Sequence, residues 1–530
     1  MEKTRREIMD RVYLTYLPAK KFKTSCLSAQ FIAPLRRETA SYGALLPLVL
    51  QRGTMSCPDI QQLSAAMDRL YGAQINPTIR KRAECQCIGF VASVMDDSFA
   101  PMGEKLLEPT AALLGELLLD PVTRNGRYLP EYVDSERANL LDSIRSIRND
   151  KRDWADLRLL QEMCRYEPHG VSRLGDEAAA AAINNQKLHA YSRQMMAASR
   201  LELFYCGSAP ISRVEDALLE AFAALPRGAG LDPEPPLAVA APAEPRIIHE
   251  AMDVTQGKLS MGFRCATDDV PAMILANLLF GGTSNSKLFM NVREKLSLCY
   301  YASSTYVRSK GILTVSSGIE TADYQRALDE ILHQLQEIRD GHWEPWELEG
   351  ARSTMRSALT SLSDSQGALE NYCLGQAATG QSEDPETMQR LLDQVTPERI
   401  RAAAQSVTLD TVYFLHGKEE DENPYLPPHR GKGHLGDPAQ RPARLRGAQA
   451  RLCPEICLLH HPLRRHGYAL PAGRPVAGHP RRHRPLSGAQ DVRHRRWQRH
   501  AGLGPGRGRA QRLHQQRRYR LLFRLHRAFL

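Results

Sequence analysis

Side chains suited to metal or nucleophilic chemistry are thinly spread over the first 424 residues of this 530-residue chain. Six histidines stand there: His169, His189, His249, His333, His342 and His416. They are dispersed, so any cluster of them has to be assembled by the fold. A hydrolytic zinc helix needs two histidines four residues apart on one face, with a glutamate to take a proton from the bound water. Neither H-x-x-E-H nor H-E-x-x-H occurs anywhere in the sequence. The closest cysteines of this region, Cys85 and Cys87, alternate within a strand-like run. That spacing puts both thiols on one face of a sheet, with no nearby ligand to complete a metal site, and they read as reduced thiols. No G-x-x-x-x-G-K-[ST] phosphate loop and no G-x-S-x-G nucleophile elbow is present. One G-x-G-x-x-G does occur, from Gly431 to Gly436. It follows the proline-rich stretch 424–428 instead of a strand, and no helix pattern comes after it, so it reads as a chance match.

The elements that would position a site follow from periodicity and punctuation. Residues 12–17 and 26–32 predict strands, rich in β-branched, aromatic and aliphatic side chains. Residues 58–71 predict a helix with proline near its start, Met67 and Leu70 on one face, and Gly72 as its stop. Strand-like runs follow at 74–80 and 86–94. A single long helix is expected from 130 to about 164, with Leu140, Leu141, Ile144 and Ile147 at helical spacing. A buried-strand pattern at 200–206 leads into a helix ending near 225. Prolines and glycines crowd 226–245, which reads as an exposed linker. The pattern then restarts, with strands at 259–265 and 312–317, helices at 324–339 and 345–362, and a closing strand at 411–415.

The second half echoes the first. Residues 45–54 read LLPLVLQRGT and residues 274–283 read ILANLLFGGT; the halves close alike, with LELFYCG ending at Gly207 and TVYFLHG at Gly417. The two offsets, 229 and 210 residues, fit duplication of one α+β unit. The expected fold is therefore α+β: two similar sheet-plus-helix domains, 1–227 and 246–424, each with helices on one face of its sheet, joined by a linker at 228–245. The net charge of +10 conceals two unlike parts. From Tyr425 onward there are 24 Lys+Arg against 3 Asp+Glu, and the remainder carries a net charge of −11.

Residues 281–300, GGTSNSKLFMNVREKLSLCY, resemble the segment GG-x-SS-x-LF…REK-x-GLAY of the insulinase/pitrilysin family of zinc peptidases, which includes the mitochondrial processing peptidases. The resemblance implies that Arg293 and Tyr300 bind substrate, and a guanidinium and a phenol can both donate to a peptide carbonyl. Ser297 departs from the pattern, standing where the family has glycine. In this family the zinc motif His-x-x-Glu-His precedes a Gly-Thr. Counted back from Gly53-Thr54, its ligand and base positions are Ala44, Pro47 and Leu48 here. The third ligand, a glutamate in ER-x-x-x-LEEI, corresponds to Ser143 in the run 136–144, ERANLLDSI. The resemblance thus implies a non-catalytic member with no metal or other cofactor of its own, not an enzyme by itself. Such members occur beside a catalytic paralogue, and some carry names linking them to the aminopentanol modification of elongation factor P. It further implies half of a clam-like chamber, completed by a zinc-bearing paralogue as partner, with a peptide or unfolded polypeptide as substrate. A stand-alone peptide-binding or scaffold protein is the competing reading.

Residues 425–530 are rich in Arg, His, Gly, Pro, Leu and Ala, with Lys432 as their single lysine. An arginine-rich arm can neutralise nucleic-acid phosphate, so a nucleic-acid-binding protein acting through this tail is a third reading. The near-absence of lysine and the lack of an R-G-G repeat oppose it. Arginine without lysine is what G+C-rich DNA yields when translated in the wrong frame. Residues 483–492, HRPLSGAQDV, can be written in codons that, read one base forward, spell Ile-Ala-His-Phe-Leu-Glu-His-Lys-Met, a complete zinc helix. The same shift gives family-like sequence over 451–467 and 512–524. The tail therefore reads as a disordered, frame-shifted translation of a downstream gene for the zinc-bearing paralogue, the authentic chain ending near 420–428. No nucleic-acid partner is then expected. The mixed-charge N-terminus shows no signal peptide, and no apolar run approaches the roughly 18 residues of a membrane span, so a cytoplasmic protein without a membrane partner is expected. A chain stopped at residue 424 should be at least as soluble and as heat-stable as the full chain; loss of its cooperative thermal unfolding transition would refute the frame argument.

Overall fold

The computed structural model describes residues 3–231, 233 and 239–418; the readings attached to 425–530 lie outside the described residues. The first half runs β1 (Thr4–Met9), β2 (Val12–Pro18), β3 (Thr24–Pro34), α1 (Ala40–Leu50), α2 (Ile60–Arg69), β4 (Gln74–Arg82), β5 (Cys85–Met95) and α3 (Leu107–Leu119). A small hairpin, β6 (Thr123–Arg124) and β7 (Arg127–Tyr128), precedes α4 (Pro130–Ser146), α5 (Lys151–Met163), α6 (Glu177–Ala181), α7 (Asn185–Ala198), β8 (Arg200–Gly207) and α8 (Ile211–Ala221). The second half opens with β9 (Arg246–Ala251), β10 (Gly257–Cys265) and α9 (Val270–Asn277), then two π-helical stretches, Leu278–Gly282 and Leu288–Lys295. It continues through β11 (Cys299–Val307), β12 (Ile312–Ile319), α10 (Tyr324–Asp340) and α11 (Pro345–Leu362). The last elements are α12 (Gln366–Thr379), α13 (Pro385–Asp393), α14 (Pro397–Gln405) and β13 (Val407–His416).

The strand order of the first sheet is β1-β2-β8-β3-β5-β4, and that of the second is β11-β12-β10-β13-β9. Without β1, the first order maps strand for strand onto the second read backwards. The outer pairs β2–β8 and β9–β13 are parallel, and the other pairings antiparallel. The α+β duplication legible in the sequence is thus a duplication of topology. Local chemistry marks the element ends: Asp59 caps α2 by accepting the Gln62 N–H, and α10 stops at Gly341 in the left-handed region (φ 83°).

The long helix expected over 130–164 is two helices. The Asp150 carboxylate accepts the N–H groups of Arg152 and Asp153 and starts α5 afresh, so α4 and α5 leave in different directions. That break corrects a second expectation, that each sheet carries helices on one face only. In the first sheet, Phe90, Ala92, Leu203 and Tyr205 face the large core under α1 and α3, while their neighbours Phe204, Cys206, Cys85 and Cys87 face the other way. That second face is covered by α12 from the second half, through Leu369, Cys373 and Leu374. Reciprocally, α5 from the first half lies on β10 and β13, packing Ala155 and Leu159 against Tyr413 and Leu415. Gly262 permits this close approach, because a Cβ there would come within 2.5 Å of the Met163 sulfur. The nine described cysteines are free and buried, Cys85 and Cys87 sharing one face as their spacing predicts. No helix among the described residues is long and apolar enough to cross a membrane.

Buried charges close the seam between the halves. Lys310, in the β11–β12 turn, has no side-chain exposure and is paired with Glu84 of the β4–β5 turn and, at 2.8 Å, with Glu167 beyond α5. Arg264 of β10 spans Glu167 (2.5 Å) and Asp410 of β13 (2.9 Å). Burial alone would raise the carboxyl pKa of Glu167 and Asp410, but hydrogen bonds from the basic partners, and from Thr411 to Asp410, outweigh it and both lie below their ordinary values. Their stabilisation is present in full above the unfolded-state carboxyl pKa, about 3.9–4.3, and is lost as pH falls through the lower folded values. Urea titrations should therefore show stability declining as pH drops below about 4. Lys310→Met leaves the buried Glu84 without its cation and Glu167 held by Arg264 alone, and should cost about 3–5 kcal/mol in the same assay.

Candidate functional site

Helix α1 carries the three positions aligned with the zinc helix, and it is an interior element. Ala44 and Pro47 are buried and Leu48 partly so. Pro47 sits inside the helix, where it cannot donate to the Gly43 carbonyl one turn back. Helix α4 packs beside α1 and carries Ser143, which is exposed and donates its hydroxyl to the Asn139 carbonyl at 2.8 Å. Two aliphatic side chains, a proline ring and a committed hydroxyl do not fit a zinc ion. The neighbouring acid, Glu136, is engaged at both oxygens, by Arg52 at 2.9 Å and by the Asn139 amide at 3.0 Å; the Arg52 guanidinium also lies over the Tyr132 ring. Among the described residues, no group of three or more His, Cys, Asp and Glu is placed to hold a metal ion. Among the described residues the fold brings His249 beside His416, their rings 5.9 Å apart in an aromatic cluster with Tyr324 and Phe414.

The segment 281–300 borders a cleft of about 590 Å³. Its walls are the start of α5 (Asp150, Arg152, Asp156), the loop Gly281 to Ser284, the π-helical Phe289 and Arg293, and β11 from Tyr301 to Thr305. Short π-helical stretches widen a helix locally and are frequent at functional sites. Arg293 stacks over the Phe289 ring at 4.6 Å, with Glu294 at 3.6 Å, and makes no hydrogen bond among the described residues. It is one of the residues that line the cleft. Tyr300 is elsewhere. The β11–β12 register passes from Cys299↔Ile319 to Tyr301↔Gly318, so Tyr300 is the extra residue of a β-bulge. It is 65% exposed, it does not line the cleft, and its hydroxyl donates to Glu320 at 3.2 Å. The two residues expected to bind substrate are thus held at separate places, one on the cleft wall and one on the outer strand.

Three cleft residues were not foreseen. The Arg152 guanidinium lies 4.2 Å over the Tyr301 ring and donates to Ser303 at 3.1 Å. Asp156 is partly buried, accepts the Ser260 hydroxyl at 2.7 Å, and has its pKa raised by desolvation. No local signal marks Arg152 as facing β11 or Asp156 as facing β10, since both reach the second sheet only because α5 crosses to it. Ser297, between the second π-helical stretch and β11, has φ +52°. This left-handed conformation explains why glycine suits the position.

Residues 182–355 match the family model described as the Peptidase M16 inactive domain. The chain is 32% identical over 410 residues to the "Probable inactive metalloprotease YmfF" of Bacillus subtilis (strain 168), covering 76% of this chain and 94% of that protein. It is 22% identical over 250 residues to the "Uncharacterized zinc protease YmxG" of the same organism, covering 45% and 58%. Among solved structures, a conserved protein from Enterococcus faecalis superimposes with a TM-score of 0.70 at 26% identity, over 78% of this chain and 99% of that one. A peptidase M16 inactive domain from Pseudomonas fluorescens superimposes with a TM-score of 0.65 at 16% identity, over 79% and 98%, a likeness of fold. These descriptions say nothing of elongation factor P.

Relieving the left-handed strain at Ser297 offers a direct check on this local geometry. Ser297→Gly should raise unfolding stability by about 0.5–1 kcal/mol, the strain removed exceeding the added chain entropy. Chemical denaturation of both forms measures it.

Proposed function

Because this chain belongs to the insulinase/pitrilysin (M16) family as a non-catalytic member, we propose that it lends substrate-binding residues and chamber wall to a zinc-bearing paralogue in a heterodimeric peptidase. The carrying observation is Arg293 on the wall of a cleft of peptide dimensions, with Glu294 beside it and no hydrogen bond among the described residues. A partner's zinc would supply a polarised water and a Lewis acid for the scissile carbonyl. This chain's contribution is orientation. The Arg293 guanidinium donates to a backbone carbonyl of the bound peptide, and its planar fork fixes the direction of approach. Tyr300 stands on β11, an edge strand of its sheet, where a phenol can donate to the same backbone from a surface open to a second subunit. Arg152 and Tyr301, stacked on each other, make the opposite wall rigid.

The reading predicts that the purified chain holds no stoichiometric zinc and cleaves no peptide alone, and that cleavage appears on mixing with the paralogue. In the mixture, Arg293→Ala should lower turnover by about a hundred- to a thousandfold, as loss of one preorganised donor does, and Tyr300→Phe should lower it in the same direction. Thermal stability of this chain should barely change, which separates catalysis from packing. Gel filtration of the co-expressed pair followed by peptide hydrolysis is the assay. Equal activity from the paralogue alone, or full activity from both variants in a stable complex, would make the chain a scaffold or peptide-binding protein instead.

A further inference from the structure

Where the β4–β5 turn meets the β11–β12 turn and α12, a pocket of about 240 Å³ is lined by Lys81, Arg82, His169, Arg308 and Tyr372, among others. Three of its lining residues are cations, and no Asp or Glu among the described residues lines it. The Lys81 ammonium donates to the carbonyls of His169 (2.7 Å) and Val171 (3.4 Å) and has no ion-pair partner among the described residues. Burial pushes its pKa down to about 8, so the group still carries its proton at neutral pH. Arg82 gives its terminal nitrogens to the Lys81 carbonyl and the Asn371 side chain, leaving its buried Nε without a partner. The Arg308 guanidinium lies over the Tyr372 ring at 5.7 Å. His169 is 3% exposed; its Nδ1 is 3.0 Å from the Ala83 carbonyl and so holds the ring proton, and its Nε2 has no partner among the described residues.

We propose that this pocket binds an oxyanion, a carboxylate or a phosphate. Holding a partly buried ammonium on backbone carbonyls, with the Arg82 guanidinium at the same pocket and no acid lining it among the described residues, is unfavourable unless negative charge joins them. An ammonium and guanidinium N–H groups, here Lys81 and the unpartnered Nε of Arg82, with Arg308 on the same wall, are donors that carboxylate and phosphate oxygens accept from. Deprotonated Nε2 of His169 adds one acceptor. It suits a ligand carrying a single donor beside its anionic oxygens, as the O–H of a monoprotonated phosphate or the amide N–H of a chain-terminal residue does. Leu160, Thr305 and Val307 line both this pocket and the cleft of Arg293, so a peptide lying in the cleft can bring its terminal carboxylate here. The site does not depend on the peptidase reading, because its donors stand whether or not a partner binds.

Calorimetry and thermal shift on the full chain test the idea, at neutral pH and fixed ionic strength. The probes are inorganic phosphate, N-acetyl-dialanine with a free carboxylate, and the same peptide as its C-terminal amide. Saturable binding of phosphate or of the acid peptide is expected, with the amide at least about tenfold weaker than the acid. Phosphate alone identifies a free-anion site, and the acid peptide identifies a chain terminus. Lys81→Met and Arg308→Gln should each weaken the bound probe at least about tenfold, while Lys105→Met, on a distant exposed loop, should not. If Lys81→Met fails to fold by circular dichroism, Arg308→Gln decides. Binding of neither oxyanion below about 10 mM, or unchanged affinity in the folded variants, overturns the proposal.

Discussion

Each sheet of this protein has two apolar faces but only one set of helices connecting its own strands, and the uncovered face has to be removed from water. The solution is an exchange in which α5 of the first half covers the second sheet and α12 of the second half covers the first. The α5 crossing buries Leu159, Tyr413 and Leu415 and the α12 crossing Phe204, Leu369, Leu374 and several cysteines, which supplies the non-directional part of the attraction. Orientation comes from charges fixed between the same elements, with Arg80 on Glu370 at one crossing and the Lys310–Glu167–Arg264–Asp410 chain at the other. An ion pair that is buried and fully hydrogen-bonded contributes less net stability than its short distances suggest, but it penalises every misplaced arrangement that would strand one charge. The exchange therefore sets how the halves meet.

The cleft and the cationic pocket are products of that exchange. Arg152 and Asp156 reach the second sheet only because α5 leaves its own half, and Tyr372 and Gly375 reach the β4–β5 turn only because α12 does the same. Both concavities lie where turns of one half meet a helix of the other, which is where backbone is least committed to its own sheet and side chains of different origin converge. A change in the packing of either helix would thus be felt at both places.

Helix α1 shows the opposite fate. With Ala44 and Pro47 buried and Leu48 partly so, it has become one more apolar element under the first sheet, and the surviving acid nearby, Glu136, is tied down by Arg52 and Asn139. The chain keeps the fold of a zinc peptidase while the donor atoms at the zinc positions are gone. The cleft of the second half carries Arg293, and the bulged strand stands beside it.

Short-range signals carried much of this. Alternation and helical spacing located the main strands of both sheets and the helices from 324 and 345, and the echo of LLPLVLQRGT in ILANLLFGGT announced the repeated topology. The residues at the four positions that the resemblance assigns to the zinc site were read by counting, since whether a side chain has a donor atom depends on residue type alone. The break at Asp150 was missed because an N-cap competes with a continuing helix on equal local terms, and only the destination of α5 decides between them. The left-handed backbone at Ser297 and the bulge that turns Tyr300 outward depend on how β11 registers against β12. The meetings of Lys310 with Glu84 and of Arg152 with Tyr301 join residues more than a hundred positions apart. Such contacts are set by which apolar face each helix covers, and a linear sequence states the apolar face without stating its partner.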